Sequence, residues 1–343
     1  MKIICLEEHT RDTAVANAAL HAAAKQAPYM TDLGSQYEED PSSDRPSFQA
    51  PKRAAELASG PLENRLSAMD ANGIDMQVLS DSNAMQFVPL DSAVDLARSV
   101  NNRLAEAVAK HPGRFAGFST LPWQDPCAAV RELERTVSDL GLIGTMLVGH
   151  PGEDVFLDDP RYAQVLAKLE QLSVPIYIHP GPPLPEVQRL YYSGFGKEVT
   201  ARLSLYGWGW HNEAGVQVIR LILSGALDRH PGLRIISGHW GEMVPFFLHR
   251  LDDALPPAAT GLSRTIGQTY RDQVFVTPSG IFYLPLFLFV REVLRADRIM
   301  FSVDYPYVTM TGARRWLENL PLGETERTAI AHGTAERLLR LSA

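Results

Sequence analysis

The sequence contains little cysteine and no long apolar run, and both absences narrow the class of protein. Its two cysteines among 343 residues, Cys5 and Cys127, are too few for a disulfide framework and lack the spacing of a zinc finger. No apolar stretch approaches the ~20 residues that a membrane-spanning helix needs. The first residues also lack the pattern of a secretory signal peptide. We therefore expect a cytoplasmic protein that does not contact membranes.

Clusters of basic residues and a dinucleotide-binding motif are also missing. The formal net charge is −8, and no run of Lys or Arg forms a surface for a phosphate backbone. No Gly-x-Gly-x-x-Gly motif follows a predicted strand. The sequence therefore argues against nucleic acid as a partner and against a dinucleotide-binding fold.

The apolar residues that are present recur in a βα pattern. Hydrophobic residues make up 45% of the chain and charged residues 21%, which is typical of a globular enzyme. Short apolar runs alternate with longer helical patterns, as in a parallel sheet of βα units. Eight candidate strands favour a closed (β/α)8 TIM barrel, an α/β fold, over an open sheet. We expect one domain over residues 1–343, with strands at 2–6, 76–80, 115–120, 144–148, 175–179, 234–237, 274–277 and 299–302.

Two segments interrupt this repeat. Residues 10–61 form a long insertion after the first strand, with an Ala-rich helical piece and a polar, proline-containing piece. A long loop at the top of a barrel usually belongs to the site, so we expect this insertion to cover it. Residues 180–212 form an aromatic loop after the fifth strand. Its aromatic side chains either line a pocket or pack the loop onto the barrel, and they are Tyr191, Tyr192, Phe195, Trp208 and Trp210.

Polar residues stand at the ends of four predicted strands, where barrel enzymes carry their catalytic groups. Side chains two apart on a strand point the same way, so Glu7 and His9 should face the barrel mouth and Glu8 the helices. A single histidine or aspartate at such a position is usually structural. Together they supply nitrogen and oxygen ligands for a divalent cation. We therefore predict an active site at Glu7, His9, His179, His239 and Asp304.

Several motifs give the chain a family resemblance along nearly its whole length. They are Leu6-Glu7-Glu8-His9, His179-Pro180, Gly238-His239-Trp240-Gly241-Glu242, His249-Arg250-Leu251-Asp252 and Ser302-Val303-Asp304-Tyr305-Pro306. With these motifs the chain resembles the amidohydrolase superfamily. Within it, the chain is similar to the branch of aminocarboxymuconate-semialdehyde decarboxylase and the gamma-resorcylate and 2,3-dihydroxybenzoate decarboxylases.

The resemblance implies a set of metal ligands and the kind of metal. Glu7, His179 and Asp304 are the implied ligands, with His9 as a fourth ligand or close neighbour. Carboxylates combined with imidazoles suit Zn²⁺ or Mn²⁺, whereas Mg²⁺ is less favoured as imidazole ligands accumulate. We therefore predict one divalent metal ion per chain.

The resemblance also implies catalytic and substrate-binding roles. Asp304 is the implied proton donor, and Glu242 is expected to orient the imidazole of His239. A small-molecule carboxylic acid is the implied substrate, and relatives imply a homodimer or homotetramer, with the aromatic loop as a candidate interface. The predicted substrate-binding residues are Arg250, Trp210 and Tyr307.

The opening motif favours one of two reaction classes. Glu7-x-His9 stands where hydrolytic relatives commonly carry His-x-His, which favours decarboxylation. We therefore predict a metal-dependent non-oxidative decarboxylase, a carbon–carbon lyase, acting on a small hydroxylated aromatic or unsaturated carboxylic acid. The alternative is a metal-dependent hydrolase of an ester, lactone or carbon–carbon bond. Thr10 stands where aromatic-acid decarboxylases tend to have a bulky aromatic residue.

Overall fold

Parallel strands form the inner layer of the molecule. The computed structural model describes residues 1–33 and 44–341, and part of the predicted insertion, residues 34–43, lies outside these ranges. The strands pair in the orders β1-β2-β3 and β4-β5-β6-β7, always in parallel. Their bounds are β1 (Ile4–Thr10), β2 (Met76–Asp81), β3 (Phe115–Gly117), β4 (Thr145–Val148), β5 (Ile176–His179), β6 (Ile235–Ser237) and β7 (Val274–Val276).

Isolated bridges close the two sheets into a barrel. Ser119 pairs with Thr145 and so joins β3 to β4. Bridges from Ile299 to Val276 and from Phe301 to Cys5 place the eighth segment between β7 and β1. The predicted eighth strand is therefore present as separate bridges without a continuous ladder, and the predicted barrel is confirmed.

Helices follow the strands and cover the outside of the barrel. The Pro-rich, aromatic segment 180–212 was predicted as a loop, and this was wrong because the segment is largely helical. Pro185 occupies the first position of a helix, where its ring is tolerated. The helices are α1 (Thr13–Gln26), α2 (Pro51–Ala58), α3 (Leu62–Asn72), α4 (Leu90–Lys110), α5 (Pro126–Ser138), α6 (Ala163–Leu172), α7 (Pro185–Val187), α8 (Lys197–Ser204), α9 (Gly209–Leu223), α10 (Ala226–Arg229), α11 (His239–Glu242), α12 (Val244–Ala254), α13 (Pro257–Thr260), α14 (Ile266–Gln273), α15 (Leu284–Leu294), α16 (Ala313–Glu318), α17 (Glu324–Thr328) and α18 (Thr334–Leu339).

Alternating side chains divide the core into an inner and an outer layer. Val78 and Ile236 belong to the cluster inside the barrel, whereas their neighbours Leu79 and Ile235 pack with the helices. This is the period of two expected for strands buried on both faces. Phe118 and Tyr177 are buried inside the barrel, so its interior is packed below the mouth.

A β-bulge in β1 changes which side chains face inward. Cys5 pairs with Gln77 and Glu8 with Leu79, so one extra residue lies in β1 between these pairs. Leu6 therefore packs inside the barrel while Glu8, two residues later, lies on the outer side, where its carboxylate accepts from the Gln77 side chain at 3.0 Å. The strand also extends to Thr10, beyond the predicted end at residue 6. Glu7 and His9 thus lie within a strand that the barrel holds on both sides.

The described part of the insertion returns to the barrel mouth. Phe48 forms an antiparallel bridge with Val308. The backbone N–H of Gln49 donates to the carbonyl of Tyr307 at 2.8 Å. Among the described residues, no helix combines the length and apolar character needed to cross a membrane.

Candidate active site

Four predicted residues meet at the mouth of the barrel. One ligand atom from each of these side chains lies within 4.8 Å of all the others. His9 Nε2 is 3.2 Å from Asp304 Oδ1, and His179 Nε2 is 3.2 Å from Glu7 Oε1. We call this group the ligand cluster, and its members are Glu7, His9, His179 and Asp304.

Three buried atoms of the ligand cluster have no hydrogen-bond partner among the described residues. They are Glu7 Oε1, His9 Nε2 and Asp304 Oδ1. Buried polar atoms are normally hydrogen-bonded, and leaving one unpaired costs about 1–3 kcal/mol. A cation coordinated by these atoms would remove that cost. Two imidazole nitrogens and two carboxylate oxygens suit Zn²⁺ or Mn²⁺, so the side chains fit the divalent metal that the sequence predicts.

Hydrogen bonds outside the cluster orient its two histidines. His179 Nδ1 donates to the carbonyl of Pro180 at 2.7 Å, because a carbonyl can only accept. His9 Nδ1 lies 3.2 Å from the hydroxyl oxygen of Ser80 on β2. Each ring therefore presents its Nε2 atom to the cluster, the arrangement in which an outer partner fixes the tautomer of a metal-binding histidine.

Two hydroxyl groups orient the carboxylate of Glu7. Tyr177 and Ser279 both donate to Glu7 Oε2, which leaves Oε1 for the cluster. Gly238 makes room for this arrangement, since a Cβ there would lie 2.8 Å from Glu7 Oε2 and 2.9 Å from Ser279 Oγ. Sequence reasoning missed both donors. Tyr177 carried a usable signal, because it lies two residues before His179 on the same face of a strand.

The buried charges set the protonation of these groups. Burial would raise the pKa of Glu7, but the nearby His239 and His179 imidazoles outweigh it and hold that pKa well below its usual value. Burial lowers the pKa of His9 and outweighs the opposing effect of Asp304. Glu7 is therefore a carboxylate and His9 a neutral imidazole near neutral pH, which are the forms that bind a metal.

Two buried carboxylates favour the cationic form of His239 beside the ligand cluster. Burial would lower its pKa, but the carboxylates of Glu242 and Glu7 raise it well above the usual value. His239 Nδ1 donates to Glu242 Oε1 at 2.7 Å, and its Nε2 lies 3.8 Å from Asp304 Oδ2. The imidazolium thus connects a buried carboxylate to the edge of the cluster.

A strained backbone turn places this pair. Residues from His239 to Met243 all have positive φ, with values of 46° at His239, 61° at Trp240 and 53° at Glu242. Residues other than glycine rarely adopt this region of backbone conformation, and such strain is concentrated at functional sites. Asp304 also has a positive φ of 70°. The backbone is therefore strained at both ends of the 3.8 Å contact between His239 and Asp304.

A further histidine, absent from the sequence prediction, joins the pair. His211 Nδ1 donates to Glu242 Oε2 at 2.9 Å. His211 lies near the start of α9, away from the strand ends at which the predicted site residues stand. No local pattern marks it as a site residue.

The predicted substrate-binding residues occupy different places. The Tyr307 ring lies 5.5 Å from that of His9, and its hydroxyl is 2.8 Å from Ser82 Oγ. Trp210 Nε1 donates to His211 Nε2 at 3.2 Å. Arg250 is exposed on α12 and takes part in none of the described contacts of the cluster. The structure therefore brings Trp210 and Tyr307 beside the site, and Arg250 stays a prediction.

A closed parallel barrel with oriented imidazoles and carboxylates at its mouth defines a metal-dependent barrel enzyme. The chain matches the amidohydrolase family over residues 18–341. It therefore belongs to that family, as the motifs predicted.

Individual relatives are decarboxylases. The chain is 36% identical over 292 residues to a gamma-resorcylate decarboxylase of Rhodococcus jostii (strain RHA1), covering 81% of this chain and 87% of that one. It is similar to the crystal structure of 5-carboxyvanillate decarboxylase from Sphingomonas paucimobilis, with a TM-score of 0.87, 31% identity and 99% of each chain covered. A dihydroxybenzoic acid decarboxylase from Polaromonas sp. JS666, solved with bound manganese and 2-nitroresorcinol, gives a TM-score of 0.83 and 31% identity, with 99% of this chain and 97% of that chain covered. The predicted resemblance to the decarboxylase branch is confirmed.

Proposed function

We propose that this protein is a metal-dependent non-oxidative decarboxylase of a small hydroxylated aromatic acid. The observation that carries the proposal is the set of three buried, unpartnered ligand atoms at the barrel mouth. The named activities of the relatives support decarboxylation over the alternative, hydrolysis.

The metal would be held by Glu7 Oε1, Asp304 Oδ1 and the Nε2 atoms of His9 and His179. Related structures contain manganese, which agrees with the predicted choice of Mn²⁺ or Zn²⁺. When bound, the cation supplies a positive charge that attracts the substrate's oxygens and stabilises the negative charge that develops on them.

Asp304 and His239 supply the proton. In the reaction, the bond from the ring carbon to the carboxyl group breaks, a proton takes its place on the carbon, and carbon dioxide leaves. Asp304 is the proposed donor to the ring carbon. Its Oδ2 atom faces the His239 imidazolium at 3.8 Å, so His239 can return a proton to it after each turnover. Glu242 stabilises the cationic form of His239.

A chain of aromatic side chains runs from the insertion to Trp210, which contacts His211. Phe48 of the insertion lies 5.3 Å from Tyr206, and Tyr206 lies 6.0 Å from Trp210, as measured between ring centroids. These contacts support the insertion as a cover for the site, and they support Trp210 as a substrate contact. Tyr307, close to His9, is the second proposed contact, and Arg250 the third.

The protein is proposed to act as a homodimer or homotetramer in the cytoplasm. Tyr191, Phe195 and Trp208 of the segment after β5 are 69%, 58% and 49% exposed, and exposed apolar groups of this size mark interaction surfaces. Both cysteines are unpaired, as is usual in a reducing compartment. Light scattering should give a multiple of the 37.9 kDa chain mass, and a monomer at all concentrations would contradict the assembly.

The reaction is tested with protein reconstituted with Mn²⁺ or Zn²⁺. A panel of hydroxybenzoates in D₂O should yield carbon dioxide and a phenol with deuterium at the carbon that carried the carboxylate. A parallel panel of esters and lactones tests hydrolysis. Turnover of that panel with no carbon dioxide from any acid would overturn the proposal.

A further inference from the structure

Two histidines share the carboxylate of Glu242. The Glu242 side chain is completely buried. Its Oε1 accepts from His239 Nδ1 at 2.7 Å and its Oε2 from His211 Nδ1 at 2.9 Å. The two imidazole rings lie 4.4 Å apart, at an angle of 63°. A rotation of the carboxylate would therefore disturb both hydrogen bonds together.

We propose that His211 is a positioning residue for the decarboxylation and acts on His239 through Glu242. This inference rests on the proposed function, in which His239 Nε2 delivers a proton toward Asp304 Oδ2. His211 does not touch the ligand cluster in any described contact. Its effect on the reaction would therefore pass through the orientation of Glu242.

The contacts of His211 Nε2 keep the Nδ1 atom of the same ring directed at Glu242. His211 Nε2 is 2.9 Å from the carbonyl of Tyr206 and 3.2 Å from Trp210 Nε1. A carbonyl only accepts and an indole N–H only donates, so the two contacts serve different protonation states of the ring. With both nitrogens protonated the ring donates from Nε2 to Tyr206, and with the proton on Nδ1 alone Nε2 accepts from Trp210. In both states Nδ1–H remains available to Glu242.

Loss of the His211 donor would leave a buried carboxylate oxygen without its partner. Glu242 Oε2 would then satisfy itself by turning toward His239 or by admitting water. Turning moves His239 Nδ1–H, and an admitted water holds the carboxylate less firmly than the His211 ring, so both responses loosen the position of the Nε2 atom that faces Asp304. Because Glu242 is fully buried and His211 only partly so, His211 lies on the solvent side of the Glu242 carboxylate.

The experiment compares two variants in the metal-loaded enzyme. His211→Asn keeps an N–H donor near the position of Nδ1, whereas His211→Leu has a similar volume and no donor. We expect His211→Leu to lower kcat by about 10–100-fold, the usual effect of losing a group that orients a catalytic residue. KM and bound metal should stay near the wild-type values, and His211→Asn should restore most of kcat.

A matched control removes a similar hydrogen bond elsewhere. His230 Nδ1 donates to Glu170 Oε2 at 2.9 Å, and neither residue belongs to the site. His230→Leu should leave kcat unchanged. Normal kcat in His211→Leu, or equal losses in the Leu and Asn variants together with lowered melting temperatures, would overturn the proposal. The proposal would also be overturned if the wild-type protein bound two metal ions and His211→Leu only one. His211, His239 and Glu242 would then be metal ligands.

A measurement independent of turnover separates this inference from the proposed function. In protein labelled with ¹⁵N-histidine, NMR should show two Nδ1–H signals that shift in Glu242→Gln. His211→Leu should remove one and move the other, which belongs to His239. An unmoved His239 signal would overturn the role of His211. Absence of decarboxylation in the wild-type protein would instead overturn the proposed function. The NMR signals would still show whether His211 sets the position of His239.

Discussion

Two groups of imidazoles and carboxylates lie side by side at the barrel mouth, and they differ in how their polar atoms are satisfied. In the ligand cluster, three buried atoms lack partners among the described residues. In the neighbouring group, His211 and His239 occupy both oxygens of Glu242. Both groups have ligand atoms close enough to surround a cation. Proximity of ligands alone therefore does not identify a metal site.

The orientation of the rings explains the difference. His179 directs Nδ1 to a backbone carbonyl and His9 directs it to a serine hydroxyl, so both Nε2 atoms converge. His211 and His239 instead direct their Nδ1 atoms to the same carboxylate. The first arrangement leaves lone pairs facing a shared space, while the second uses N–H groups to neutralise a charge. The first suits a cation and the second suits the transfer of a proton.

Removing the ligand cluster should produce the largest effect. The double variant His179→Ala and Asp304→Ala loses one nitrogen and one oxygen ligand. Turnover should fall at least about 10³-fold, because a catalytic metal supplies several kcal/mol of charge stabilisation. Elemental analysis after chelation and reconstitution should find one metal per wild-type chain and almost none in the variant. Full metal retention by the variant would contradict the assignment.

Changes to the Glu242 group should spare the metal. Glu242→Gln keeps the shape of the side chain but cannot stabilise an imidazolium, so we expect turnover to fall about 10²-fold with fold and metal retained. His239→Asn should lose a similar amount, and the double variant little more, because groups that act as one unit are not additive.

Melting temperature, bound metal and turnover of these three variants test the comparison. A purely structural role for the pair predicts that lost rate follows lost stability. Near-normal turnover in Glu242→Gln would remove the pair from the mechanism.

The sequence carried enough information to locate the ligand cluster. Glu7, His9, His179 and Asp304 each follow or end an apolar run, and a parallel barrel brings the ends of its strands to one rim. The fold followed from the same local periodicity. The bulge in β1 was not predicted. Strict alternation from the inward-facing Ile4 would have turned Glu8 inward, so the bulge is what lets Glu7 and His9 face the mouth as predicted.

Contacts between distant elements explain what the sequence missed. Ser279 reaches Glu7 across 272 residues, and His211 reaches Glu242 from a helix. Neither has a local pattern, since its position depends on how the elements pack. The segment 180–212 was misjudged because its proline and aromatic content resembles a loop, whereas packing makes it helical.

Crowding the carboxylate of Glu7 should weaken the metal site without removing a ligand. A Cβ at position 238 would lie 2.8 Å from Glu7 Oε2, so Gly238→Ala must displace Glu7 or Ser279. We expect metal affinity to fall about 10–100-fold, the usual effect of disturbing the groups that orient a ligand. Competition with a chelator of known affinity measures it. Gly323→Ala is the control, because a Cβ there meets nothing within 4 Å. Equal affinities in the two variants would show that Glu7 does not need its present orientation.

Two tyrosines at the mouth should give the smallest effects and distinguish metal from substrate. Tyr177 donates to Glu7, whereas the Tyr307 hydroxyl lies 2.8 Å from Ser82 Oγ and its ring lies beside His9. Tyr177→Phe should weaken metal binding by about 10-fold, since Ser279 still holds the same oxygen. Tyr307→Phe should leave metal affinity unchanged, and any effect should be on KM. Metal titration and steady-state kinetics on both variants test this division. A loss of metal in Tyr307→Phe but not in Tyr177→Phe would contradict this division. The hydroxyl that orients a metal ligand would then be that of Tyr307, which lies beside His9.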